Sequence, residues 1–262
     1  MQERFLSLPG PNIGRIALLA DLHNRPCTEA LDSLRARKPA LICIAGDFVH
    51  GFIPRGDDAI AKVEDSAQTL PFLRACAAIA PCFVSLGNHE WMLDAGDLDL
   101  LRETGVTVLD NEWTTHGPLV IGGLTSGRVR AYRELRRDEA PGGPRYVPWR
   151  PPRKVADAFR PEFDWLRDYA VQPGFKLLLS HHPEYWPEQI RQLPIDLTLS
   201  GHAHGGQIRF LGLGLFAPGQ GLFPRYTSGV YEGRLVVSRG LANTVVLPRI
   251  NNHPEIIYID LM

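Results

Sequence analysis

Five times between residues 16 and 204 an apolar run stops on a side chain that binds metal ions. Residues 16–20 run into Asp21-Leu22-His23, residues 41–45 into Gly46-Asp47, and residues 82–86 into Gly87-Asn88-His89-Glu90. Residues 177–180 lead to His181-His182, and residues 195–200 to Gly201-His202-Ala203-His204. Short continuous apolar runs are typical of strands covered on both faces, and open α/β sheets place their chemistry beyond the carboxyl ends of such strands. A lone Asp after a strand is more often a helix cap than a ligand. Five strand ends that each deliver a carboxylate, carboxamide or imidazole are a constraint on the whole fold.

The candidate metal ligands are Asp21, His23, Asp47, Asn88, His181, His202 and His204. Mixed oxygen and imidazole donors suit Mn, Fe or Zn better than Ca, and the absence of cysteine from the set argues against a structural zinc knot. Seven ligands overfill one centre, so two divalent transition-metal ions are expected, and Asp47 has two oxygens with which to bridge them. His202 and His204 share a face if extended, or splay toward different ions in a tight loop. Such a pair of ions suits phosphoryl chemistry, in which a metal-bridging hydroxide attacks phosphorus and both ions stabilise the displaced oxygens. His89 adjoins Asn88 and is placed to protonate the leaving oxygen or to pair with the developing charge. His89, Asn88 and Asp47 are therefore the candidate catalytic residues. Glu90 is expected to orient His89 or to cap the next turn of chain, and His50, His116, His182 and His253 are left outside the ligand set.

The remaining chain predicts helices over 28–37, 57–78 (interrupted by Pro71), 94–104 and 161–170. Further strands are expected at 106–109, 119–121, 175–180 and 193–200, with 230–238, 244–247 and 255–261 completing a second, more antiparallel sheet. Residues 126–156 hold nine basic and three acidic residues with five prolines. That segment reads either as a solvated loop or as a basic cap that meets an anionic substrate, since the chain as a whole carries a formal charge of −1. Residues 208–224 form a glycine-laced apolar stretch, either a tucked core loop or an exposed wall for an acyl chain or membrane surface.

A chain of 262 residues can build one large core, so residues 1–262 are expected to be a single domain with 126–156 as an insertion. The four cysteines lack metal-site spacing and read as buried free thiols. No stretch approaches the ~18 apolar residues of a membrane span, and the N-terminus lacks a signal-peptide core. The expected location is cytoplasmic, or peripheral to the inner face of the membrane. A net charge near zero gives no reason to expect a stable nucleic-acid partner.

The blocks Asp21/His23, Gly46-Asp47, Gly87-Asn88-His89-Glu90, His181 and Gly201-His202-Ala203-His204 resemble, in order, the signature of the calcineurin-like metallophosphoesterases. The resemblance implies a four-layer α/β/β/α sandwich with two mixed sheets. It implies that Asp21, His23, Asp47 and His204 hold one metal, that Asp47, Asn88, His181 and His202 hold the other, and that His89 is the catalytic histidine. The blocks Gly205-Gly206-Gln207-Ile208, Tyr226–Tyr231, Val237–Gly240 and Pro248–Glu255 are similar to a bacterial branch of YkuE-like phosphoesterases that includes UDP-2,3-diacylglucosamine pyrophosphatases. The expected function is hydrolysis of a phosphoester or pyrophosphate bond in a small phosphorylated or nucleotide-linked substrate, with room for a peripheral lipid contact. Two alternatives remain open: a phosphodiesterase or nuclease acting on cyclic nucleotides or single-stranded nucleic acid, and a metal-binding scaffold without catalysis.

Overall fold

The computed structural model describes residues 1–50, 63, 66–136, 160–243 and 248–262. Its elements run β1 (Gln2–Leu8), β2 (Arg15–Leu19), α1 (Thr28–Arg37), β3 (Leu41–Ala45), α2 (Thr69–Ile79), β4 (Cys82–Ser85), α3 (Ala95–Arg102), β5 (Thr107–Leu109), β6 (Glu112–His116), β7 (Leu119–Leu124) and α4 (Gly127–Arg136). They continue with α5 (Asp164–Ala170), β8 (Phe175–Ser180), β9 (Leu197–Ser200), β10 (Arg209–Phe210), β11 (Leu213–Gly214), β12 (Phe216–Ala217), β13 (Gly221–Leu222), β14 (Gly229–Tyr231), β15 (Leu235–Val237) and β16 (Glu255–Leu261). Two six-stranded mixed sheets result, ordered β1-β16-β2-β3-β4-β5 and β14-β15-β9-β8-β7-β6. Together with the helices they form the four-layer sandwich.

The apolar runs divide by alternation. Ile16 and Leu18 of β2, with Leu41 and Cys43 of β3, face the second sheet, where they meet Leu177, Leu179, Leu197 and Leu199. Ala17, Leu19, Ile42 and Ile44 face the other way, onto Leu34 of α1 and Phe72, Leu73 and Cys76 of α2. On the far side, Leu178, Leu235 and Val237 pack against Leu166 and Tyr169 of α5 and against Trp186. Side chains of period two, apolar on both faces, are what a sheet covered on both sides requires. Truncating any of these fully buried Leu or Ile residues to Ala costs about 2–5 kcal/mol.

Helix α1 matches the expected span and ends on Lys38 in the left-handed conformation. Helix α3 starts with a reciprocal box: Asp94 accepts from the Asp97 amide, and Asp97 from the Asp94 amide, both at 3.0 Å. Three expectations change. Residues 255–261 belong to the first sheet, not the second, lying antiparallel to β2 and parallel to β1. A strand apolar on both faces carries no mark of which sheet it joins, and its outer partner β1 is half-exposed, without an unbroken apolar run. β5 also sits on the first sheet, as its edge beside β4. Finally, the tucked-loop reading of 208–224 fails, because most of its large apolar side chains are exposed.

Most of the first half of the 57–78 helix, all of strand 244–247 and most of segment 126–156 lie outside the described residues. All four cysteines are free, with Cys43, Cys76 and Cys82 buried. Among the described residues no helix is long and apolar enough to cross a membrane.

Candidate metal centre

The carboxyl ends of β2, β3, β4, β8 and β9 converge, and each delivers side chains from the residues just beyond it. Backbone bonds wire these ends together: the Asp21 amide donates to Gly46 O at 3.1 Å, His23 to Asp47 O at 2.9 Å, and Gly201 to His181 O at 3.1 Å. Five of the seven candidate ligands hold left-handed backbone, with φ of 56° at Asp21, 50° at His23, 56° at Asp47, 64° at His202 and 44° at His204. Asp and His tolerate that region better than most residues, yet it still costs on the order of 1 kcal/mol at each. Clustered strain of this kind is characteristic of functional sites.

Two buried triads form. Asp21, His23 and His204 are one, and Asp47, His181 and His202 the other; within each, one ligand atom per residue lies within 4.8 Å of the others. Asp21 Oδ1 is 3.8 Å from His23 Nε2, 3.5 Å from His204 Nε2 and 3.9 Å from His181 Nε2. Asp47 Oδ2 is 3.0 Å from His181 Nε2 and 3.9 Å from His23 Nε2, so this oxygen stands between the triads. Asp47 Oδ1 is held away, accepting the His89 amide at 2.8 Å. The two triads are positioned for a dinuclear centre of divalent ions.

The donor atoms fit that occupant. Both ring nitrogens of His23 and Oδ1 of Asn88 are buried without a hydrogen-bond partner, an arrangement costly unless something binds them. His181 donates Nδ1–H to Ala45 O at 2.6 Å, which leaves Nε2 as the nitrogen facing Asp47 Oδ2 and the centre. Burial holds His23 and His202 well below the usual imidazole range, and lowers His204 as well, so these rings are neutral as ligation requires. Burial alone would also lower His181, but the charges of Asp47 and Asp21 raise it to about 10. Burial would raise Asp47; the histidines His181, His89 and His23 hold it well below the usual carboxylate range.

His89 sits on a helical turn, Asn88–Glu90, its ring edge-on to His23 with centroids 4.4 Å apart and its Nε2 3.9 Å from Asp47 Oδ2. Burial lowers its pKa. The fully buried Glu90 serves the backbone. Its carboxylate accepts the amides of Gly87 at 2.7 Å, Asp47 at 2.8 Å and Val49 at 3.0 Å, closing its own turn and tying it to the loop after β3. Gly87 is required by proximity: a Cβ there would lie 2.3 Å from Asp47 Oδ1.

The site also gathers residues that sequence reasoning does not place in it. His50 stacks on His89 at 5.8 Å, while His182 lies 2.8 Å from Ser126 Oγ and 3.0 Å from Glu184 Oε1, which in turn is 3.5 Å from His202 Nε2. The other two histidines without an expected ligand role stay outside: His116 packs against Phe83 and His253 is exposed. Arg128, from the first turn of α4, lies over Trp91 at 4.9 Å, and Arg249 Nη2 donates to His204 Nδ1 at 3.0 Å. Asn252 donates to His204 O at 2.6 Å and Gln207 O at 3.0 Å. The only sequence signal for Arg249 and Asn252 is their place in the block 248–255.

This fold and this pair of triads define a dinuclear metal-dependent phosphohydrolase, and the chain belongs to the calcineurin-like phosphoesterase family, whose sequence model matches residues 14–206. Among individual relatives it is 28% identical to the phosphodiesterase YaeI of Escherichia coli over 95% of this chain and 82% of that one. It is 36% identical to the uncharacterized metallophosphoesterase YkuE of Bacillus subtilis over 33% of this chain and 31% of that one. The UDP-2,3-diacylglucosamine pyrophosphatase LpxG of Chlamydia muridarum is 25% identical over 74% of this chain and 64% of its own.

Proposed function

We propose that the protein hydrolyses a phosphodiester or phosphoanhydride bond in a small nucleotide-linked or amphiphilic substrate. The observation that carries the reading is the pair of buried Asp/His triads with Asp47 Oδ2 between them, 3.0 Å from His181 Nε2 and 3.9 Å from His23 Nε2. Asp21, His23, Asp47 and His204 would hold one divalent ion, and Asp47, Asn88, His181 and His202 the other. Such ions lower the pKa of water and polarise phosphoryl oxygens, which is the chemistry the site needs.

The chain's own residues supply the rest. Glu90 and Gly87 fix Asp47 in place. His89 stands at the half-open edge of the site and hands a proton to the leaving oxygen. Arg128, the described member of the basic segment that faces Asp47 and His89, offsets the charge of the scissile group. The activities for which YaeI and LpxG are named, a phosphodiesterase and a pyrophosphatase, support diester and anhydride bonds over monoesters.

The test is a panel with Mn, Fe and Zn in turn: p-nitrophenyl monoester and diester, a nucleoside diphosphate ester, a cyclic nucleotide and single-stranded DNA. Turnover of the diester or the diphosphate ester above the monoester is expected. A preference for the monoester or for DNA contradicts the reading. His89→Ala should retain metal and lose about 10²–10⁴-fold in turnover on a substrate with a poor leaving group.

A further inference from the structure

We infer that the two hairpins β10–β11 and β12–β13 are a bilayer-docking surface that seats the metal centre against an anionic membrane. Seven of the thirteen exposed large apolar side chains among the described residues fall within positions 210–223. Leu211 is 87% exposed, Phe223 78%, Phe210 75%, Leu213 74% and Leu222 68%. Apolar side chains of this size at this exposure contribute nothing to the core, and a contiguous patch of them marks a contact with something apolar.

Backbone conformation says the same independently. The first hairpin turns through Leu211 and Gly212, at φ of 48° and 84°, and Phe223 lies just past the second at 51°. A two-residue turn with both central residues at positive φ favours Asn-Gly, and a bulky side chain there is strained. Asn at either position would fold more easily. Leu211, at the tip of the first hairpin, and Phe223, at the base of the second, stand there at a cost to the fold while largely exposed. The hairpins are also held in place. The Leu215 amide donates to Gly206 O at 3.1 Å and Ile208 O at 2.9 Å, Phe223 N donates to Leu215 O at 2.9 Å, and the Arg209 guanidinium donates to Gly205 O at 2.7 Å and to Gly212 O.

Charge selects the occupant. Between Asp196 and Glu232 the chain has no carboxylate, while Arg209 and Arg225 flank the apolar tips. Anionic headgroups are attracted to such a border, at a gain that falls with salt. A second copy of the chain is a poorer match, since these fourteen positions fall short of the roughly 20–30 residues per side of a stable protein interface. The surface also adjoins the chemistry. A Cβ on Gly219, in the turn of the second hairpin, would lie 2.2 Å from Glu184 Oε1 and 3.6 Å from His202 Nε2. The second hairpin thus runs from the exposed Leu222 and Phe223 at its open end to the centre at its turn, so a bilayer on these apolar side chains would lie within a short hairpin's length of the centre. The inference goes beyond the proposed reaction, and binding is measured without turnover.

The experiment is co-sedimentation of the full chain with vesicles of phosphatidylcholine alone or mixed with phosphatidylglycerol, at low and high salt. The wild-type protein should partition onto the mixed vesicles, more weakly onto phosphatidylcholine, and less at high salt. The double variant Leu211→Asn/Phe223→Asn should lose about a hundredfold in partitioning. Its Tm should be equal to or above that of the wild type, since Asn suits positive φ, and its turnover of a soluble diester should be unchanged. A second pair, Phe210→Gln/Leu222→Gln, should show the same loss from strand positions. The inference is overturned if the wild-type chain ignores anionic vesicles or if both folded variants partition as it does. It is equally overturned if the wild-type chain is a dimer that either pair dissociates.

Discussion

Replacing Glu90 tests what the motif carboxylate does. Its two oxygens accept three buried amides, with Oε2 taking Asp47 and Gly87 and Oε1 taking Val49. Ala leaves all three donors without an acceptor, at about 1–3 kcal/mol each, or roughly 3–6 kcal/mol after relaxation. That is a large part of the 5–15 kcal/mol typical of a domain. Gln can keep its carbonyl oxygen on the first two donors and loses only the third, so it should cost about 1–3 kcal/mol. Burial and the Asp47 charge push Glu90 up to about 8, against the Val49 and Asp47 amides that favour its ionised form. The folded chain thus binds this proton more tightly than the unfolded chain does. In metal-free protein, stability from this group therefore falls as pH rises from the ordinary carboxylate range toward 8, and Glu90→Gln should flatten that slope. Denaturant unfolding across this pH range measures both effects. Turnover of a p-nitrophenyl diester with metal restored should fall about a hundredfold in the Ala variant, the effect of displacing Asp47 by about 1 Å. An Ala variant within about 0.5 kcal/mol of the wild type at full turnover would refute the reasoning.

Gly87→Ala drives a methyl group into the Asp47 carboxylate, so metal content should drop and turnover fall by about a hundredfold or more, read by elemental analysis and diester hydrolysis. Glu3 and Asp260 are held below their usual values of 4.5 and 3.8, by hydrogen bonds from Arg37 and Ser33 and from Arg15 respectively. Their contribution is present above those values and is lost as pH falls, so Glu3→Gln/Asp260→Asn should make acid unfolding less steep, followed by circular dichroism.

The strand runs and their terminal residues are legible in the sequence because burial on both faces leaves an unbroken apolar signature and because metal ligands are chemically conspicuous. The pairing of the sheets is not. The both-faced apolarity that announces residues 255–261 as a strand erases any clue to its sheet, and β1 is hidden by half-exposed positions. At the centre, the triads follow from residue types, but the role of Glu90 only in part: a carboxylate beside His89 suggests a partner for that ring or a cap for a turn, and only the fold shows it serving three amides, the Gly87 amide of its own turn among them. Arg249 and Glu184 reach the site through loops whose sequences carry no periodicity. The 208–224 stretch reads as apolar in either setting, and exposure distinguishes them.

The central claim is that two divalent ions share Asp47. Titration of Mn into chelator-stripped protein, by calorimetry with elemental analysis of the product, tests it most directly. Two ions per chain are expected, with Asp21→Asn weakening one site and Asp47→Asn weakening both. A single ion in the wild-type chain, or two bound with undiminished affinity to Asp47→Asn, would contradict it.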